Sequence, residues 1–220
     1  MADIFHEVDE EVRRERLKRL WDRFGIYLIV LAVLIVVGIG AWRGYEWYTA
    51  RQAAAAGAQF EHAVELSEQG KQAEAQAAFD KLAAQAPAGY RTLASFRAAA
   101  ALVKNKPDEA VKAYDKLATD PSISPTLQDL AAVRAAMLRL DTASLDDMRR
   151  RLEPQAEANR PFRHTARELL ALSAWRNHDY AAAKKYIDMI IGDPGSPPLM
   201  RSRAEMLAAM IAADGKTGKS

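Results

Sequence analysis

The feature that most limits this chain is an uninterrupted apolar run. From Phe24 to Trp42 it reads FGIYLIVLAVLIVVGIGAW, 19 residues without a charge, with Arg23 before it and Arg43 after it. A helix rises about 1.5 Å per residue, so the run covers nearly all of a ~30 Å hydrocarbon layer. Its many β-branched residues do not argue for a strand, because a lone strand leaves its backbone polar groups unsatisfied in lipid. Trp21 and Tyr27 stand at one end, and Trp42, Tyr45, Trp47 and Tyr48 at the other. Rings with a polar edge concentrate at membrane interfaces, so Trp21, Trp42 and Trp47 are expected to be interface anchors. A cleaved signal peptide has a shorter core, about 7–15 residues, soon followed by small residues. Here aromatics and Arg43 occupy that place, and the first Ala-x-Ala pattern lies at Ala53–Ala55. The expectation is an uncleaved transmembrane helix over 24–42, in contact with the lipid bilayer.

Orientation follows from the basic residues. Arg13, Arg14, Arg16, Lys18, Arg19 and Arg23 precede the run, whereas the other flank offers Arg43 and Arg51, six against two. Basic residues stay on the cytoplasmic side. Residues 1–23 are therefore expected to be a charged cytoplasmic arm, and the large C-terminal part to lie outside. In a bacterium this is a single-pass inner-membrane protein with a periplasmic domain. Residues 43–52 read as a juxtamembrane linker. Gly40 and Gly44 form a small-xxx-small pair at the edge of the span, which its position makes a chance occurrence.

The remainder, 53–214, reads as helices separated by short turns, without strand signals. Turn-type residues recur at Gly70, Asn105, Asp141 and Asn177, with spacings of 35, 36 and 36, and each lies between two helix-length stretches. That is a helix–turn–helix unit repeated close to the tetratricopeptide period of about 34. The second helices follow the tetratricopeptide order of Ala, an aromatic four residues on, a small or apolar residue, then Pro. Ala75, Phe79, Leu82 and Pro87 fit it, as do Ala110, Tyr114, Leu117 and Pro121, and Ala182, Tyr186, Met189 and Pro194. The alanine lets two helices cross closely, and the ring fills the next turn of the same face. The third unit departs, with Asp146 and Arg150 at those positions; Leu145, Met148 and Leu152 are expected to supply its apolar stripe. Leu199–Ala213 is expected to cap the stack, and 215–220 to be a disordered tail. The fold class is all-α: one N-terminal transmembrane helix followed by a tetratricopeptide-like solenoid.

Little chemistry is encoded. The chain has no cysteine, which removes disulfides and thiolate sites, and its net charge of +2 carries no nucleic-acid signature. His6, His62, His164 and His178 stand in no metal-ligand spacing, and no Gly-x-Ser-x-Gly elbow occurs. The tail GKTGKS lacks the first glycine and the following helix of a phosphate loop. No catalytic, cofactor-binding or metal residue, no cofactor and no enzyme activity are expected.

The junction GIGAWRGYEWYTARQAAAAGAQFEHAVE (38–65), together with the plan of one anchor and about four repeat units, resembles the YfgM-like family. Its members are ancillary subunits of the SecYEG translocon. The resemblance implies a scaffold beside the translocon exit. Such a protein associates with a membrane-anchored periplasmic prolyl isomerase and helps pass exported chains to periplasmic chaperones. A scaffold for another envelope assembly, such as outer-membrane insertion or cytochrome maturation, is the second reading. In a tetratricopeptide stack the first helix of each unit lines the concave, peptide-binding face. Aligning the turns puts His164, Arg167 and Trp175 at inward positions of the fourth first helix, with Arg134 extending the strip on the preceding one. These four are the expected partner-binding residues.

Overall fold

The structure is a computed structural model, and it describes the backbone of residues 3–217 and the side chains of Lys18 and residues 21–214. Nine helices and no strand occur among the described residues: α1 (Asp3–Glu68), α2 (Gln72–Gln85), α3 (Ala88–Leu102), α4 (Pro107–Ala118), α5 (Pro125–Arg139), α6 (Leu145–Ala156), α7 (Arg163–Arg176), α8 (Tyr180–Ile191) and α9 (Pro198–Thr217). The chain divides into two compact units, Met1–Ala55 and Ala56–Ser220.

The first unit is helix throughout its described length. Arm, apolar run and juxtamembrane stretch 43–52 show no helix break between them. The run is long and apolar enough to cross a membrane. Its side chains are exposed from Phe24 to Val37, apart from Gly25, and Trp21, Trp42 and Trp47 are 60%, 67% and 63% exposed. The basic side chains Arg13, Arg14, Arg16 and Arg19 and the tail residues 218–220 lie outside the described residues. Residues 215–217, expected to be disordered, instead continue α9.

In the second unit the turns expected at Gly70, Asn105, Asp141 and Asn177 each separate the two helices of a pair. Their chemistry explains the breaks. Gly70 has φ +78°, the amide of Lys71 donates to the carbonyl of Leu66 at 2.9 Å, and that of Gly70 donates to Ser67 at 3.1 Å. This is a Schellman closure, which needs a left-handed residue after the helix. The same closure ends α7: Asp179 donates to Ala174 and His178 to Trp175, each at 2.9 Å, with His178 at φ 60°. Starts are fixed as locally. Pro107 and Pro125 open α4 and α5, where the missing amide costs nothing. Ser144 and Asp179 cap α6 and α8 by accepting from the amides of Asp147 and Ala182.

Helices pack on their sequence neighbours, and first helices also touch the next first helix, α5 with α7 and α7 with α9. Apolar clusters follow this order. One joins the end of α1 to α2 and α3 through Ala63, Phe79 and Ala94, with the rings of Phe60 and Phe79 edge-to-face at 5.6 Å. A second joins α3, α4 and α5 around Tyr114, and a third runs from α5 to α9 around Met148, Leu152, Leu170 and Ile187. Ala75, Phe79, Leu82, Ala110, Tyr114 and Leu117 are buried as expected, and Leu145, Met148 and Leu152 supply the third unit's stripe. In α8 the register is one residue later than the sequence pattern indicates. Ala183 is fully buried and Ile190 nearly so, while Ala182 is half-buried and Met189 exposed. The packed face of α8 runs through Ala183, Ile187 and Ile190, and Tyr186 is buried in either register.

A left-handed conformation costs most residues with a β-carbon about 1–2 kcal/mol and glycine nothing. His178→Gly is therefore expected to stabilise the protein by about 1 kcal/mol and to raise its thermal midpoint by ~2–4 °C, read by circular dichroism. An unchanged or lower midpoint contradicts the strain assigned to this turn.

Candidate interaction surface

Counting from the residues that cap them, Pro87 and Ser124, α3 and α5 present matching side chains. Leu93 and Leu130 stand six residues after the cap, Arg97 and Arg134 ten, Ala100 and Met137 thirteen. These positions fall on one helical face. Leu93, Arg97, Arg134 and Met137 are exposed, and so is Lys104 in the turn that follows α3. The face is cationic because α3 contains no acid and the only acid of α5, Asp129, is buried and paired with Arg160 at 3.1 Å. Beside it, a groove of about 390 Å³ opens between the end of α1 and α3. Val64, Phe79 and Ala101 form its apolar part, and Glu68, Arg97 and Lys104 its charged part. Exposed apolar side chains next to arginines suit a peptide that brings both apolar and acidic groups.

The four residues expected from sequence separate by exposure. Arg134 is exposed on this face. Trp175 is half-buried; it packs on the third cluster, and its indole N–H donates to Asp214 of α9 at 2.8 Å. His164 and Arg167 are buried, and their polar atoms are used inside the chain. Around Oδ2 of Asp193, in the α8–α9 loop, lie Arg163 Nε at 2.7 Å, His164 Nε2 at 3.0 Å and Arg167 Nη1 at 3.0 Å. Arg167 also donates to the carbonyls of Ala156 and Met189, each at 2.9 Å. The group is an interhelix clamp. The Arg163 guanidinium and the Gly195 amide, with smaller contributions from His164 and Arg167, hold the Asp193 carboxyl well below the usual carboxylate range.

The clamp has a counterpart one unit earlier. Five residues after their caps, Ser124 and Phe162, stand Asp129 and Arg167, and each grips the loop that follows the next second helix. The helix supplies the acid in one unit and the base in the other. Sequence reasoning missed Leu93, Arg97 and Met137, and alignment by helix starts rather than turn centres would have found them.

A helix-pair repeat with this register defines a family. Residues 18–169, more than half of the 220-residue chain, match the model described as a tetratricopeptide repeat-like domain. The chain belongs to this family. The tetratricopeptide repeat-like match begins before the apolar run and ends within α7, so run and repeats fall inside one family unit. Such repeat domains are typically scaffolds rather than catalysts. Among curated proteins and solved structures nothing matches the chain.

The clamp predicts a pH dependence. Asp193 ionises more readily in the folded chain than unfolded, so its contribution is fully present above about pH 4 and lost as pH falls below that value. Asp193→Asn should lower the thermal midpoint by several degrees at neutral pH, and the gap between the two proteins should narrow steadily as pH falls below about 4. A gap that does not change with pH contradicts the clamp.

Proposed function

We propose that this protein is an inner-membrane-anchored scaffold whose repeat domain lies in the periplasm beside the Sec translocon and helps pass exported chains to periplasmic chaperones. The observation that carries the reading is the exposed apolar run within one helix that ends in the first repeat. Apolar surface left in water costs about 25 cal/mol per Å², so a run exposed on every side calls for lipid around it. The excess of basic residues before the run supports a cytoplasmic N-terminus. The resemblance of the junction at 38–65 to the YfgM-like family supports the translocon, and with it a membrane-anchored prolyl isomerase, as neighbours.

The first-helix face is where a client or chaperone would lie. It offers Leu93 and Met137 as apolar contacts and Arg97 and Arg134 as charges, with Trp175 at the equivalent position on α7. Arginine and tryptophan side chains are the usual energetic centres of such contacts.

Photo-crosslinking from position 137 in intact membranes, followed by mass spectrometry, tests the reading. Translocon subunits or the prolyl isomerase should be recovered, and the Arg97→Glu, Arg134→Glu pair should cut their yield severalfold with helical content unchanged. Recovery of an outer-membrane insertion or cytochrome maturation complex instead contradicts the translocon assignment and supports the second reading.

A further inference from the structure

The second helices share a register that the stack uses. Nine residues after the caps Lys71, Lys106, Ser144 and Asp179 stand Asp80, Asp115, Glu153 and Asp188, an acid in every unit. Two of these acids hold the second helix of the following unit. Asp115 binds Arg151 of α6 at 2.5 and 3.1 Å, and Glu153 accepts from the Tyr186 hydroxyl of α8 at 3.1 Å. Arg151 and Tyr186 each stand seven residues after their own cap. At that place α4 carries Ala113, which has no side-chain donor, and Asp80 accepts from Gln76 of its own helix. A second residue works beside the acid: Arg149, five after its cap, reaches the cap of α8, Asp179, at 3.3 Å.

On α8 the corresponding pair is Lys184 and Asp188, whose side chains bond each other at 2.6 Å and, among the described residues, reach no other helix. Both line a groove of about 330 Å³ between α8 and α9. Its floor is Ile187 and Ile211, and the small residues Ala181, Ala208 and Ala212 let a backbone approach closely. This is where a further second helix would pack.

We propose that the α8–α9 groove is a docking seat for an amphipathic helix of a partner protein, which completes the stack in the register of α6 and α8. The partner helix carries a capping Ser or Asp for Lys184, an Arg or Tyr seven residues later for Asp188, and an apolar stripe for Ala181, Ala208 and Ala212. Its geometry is independent of the membrane and translocon assignments; only its purpose rests on the scaffold reading. Failure of the peptide measurement leaves the crosslinking test untouched.

A fluorescent peptide of residues 144–157 is the probe, since it carries Ser144, Arg151 and the stripe Leu145, Met148 and Leu152. It is titrated against the full chain in detergent micelles. Saturable micromolar binding is expected, weakened tenfold or more by Asp188→Arg in the protein and recovered when the peptide carries Arg151→Glu. The Lys184–Asp188 pair is exposed, so the variant should fold, and circular dichroism checks this. Ala212→Arg, which fills the groove, should abolish binding. Absence of binding, or binding indifferent to both protein variants, overturns the proposal. So does a change of the protein's own oligomeric state with Asp188→Arg when the peptide does not bind, because the groove then seats a second copy.

Discussion

A single helix pair of this chain cannot bury its own apolar face, and the second unit follows from how consecutive pairs cover one another. Alanines at the crossings make the cover tight. Ala63, Ala75, Ala94 and Ala110 are wholly buried in the first half of the stack, and Ala135, Ala171, Ala174 and Ala183 in the second. With little side chain between them, the helices approach closely, and the larger Phe79, Tyr114, Met148 and Ile187 fill the spaces left between turns. The core is therefore a row of clusters rather than one globule, as expected of repeats that contact only their neighbours.

Apolar cover does not choose register, since alanine fits alanine in several positions. Charged and polar pairs do that here. Asp115 with Arg151, Tyr186 with Glu153, Arg203 with Glu168, and Arg176 with the carbonyl of Asp141 join residues 33 to 36 apart, one repeat. The third unit shows the division of labour. α6 lacks the Ala–aromatic pattern and carries three consecutive arginines, of which Arg149 and Arg151 tie it to α8's cap and to α4. Its departure from the repeat pattern places charge ties where the other units rely more on packing.

Much of this was legible in the chain. The turn residues Gly70, Asn105, Asp141 and Asn177 mark breaks because their neighbours form helices well and they do not, which is a local property. The buried faces of α2, α4 and α6 were likewise readable from spacing alone. What escaped was non-local. Whether Arg167 points to solvent or into a clamp depends on Asp193, 26 residues away, and nothing near Arg167 signals that loop. The one-residue offset in α8 has a similar origin: Ala181, Ala182 and Ala183 offer three equivalent small positions, and only packing against α7 selects the last. The acid at the ninth position of each second helix was present in the sequence, but its use became visible only when two of the four were seen gripping the next helix.

Charge ties one repeat apart hold the helix pairs in register. A double-mutant cycle on Asp115→Asn and Arg151→Gln, followed by chemical denaturation of the full chain, tests it most directly. The pair is partly exposed, with 38% and 31% of the side chains accessible, so a coupling of about 1 kcal/mol is expected, near the upper end for such sites. Strictly additive effects of the two substitutions would contradict the claim and leave register to the alanine crossings alone.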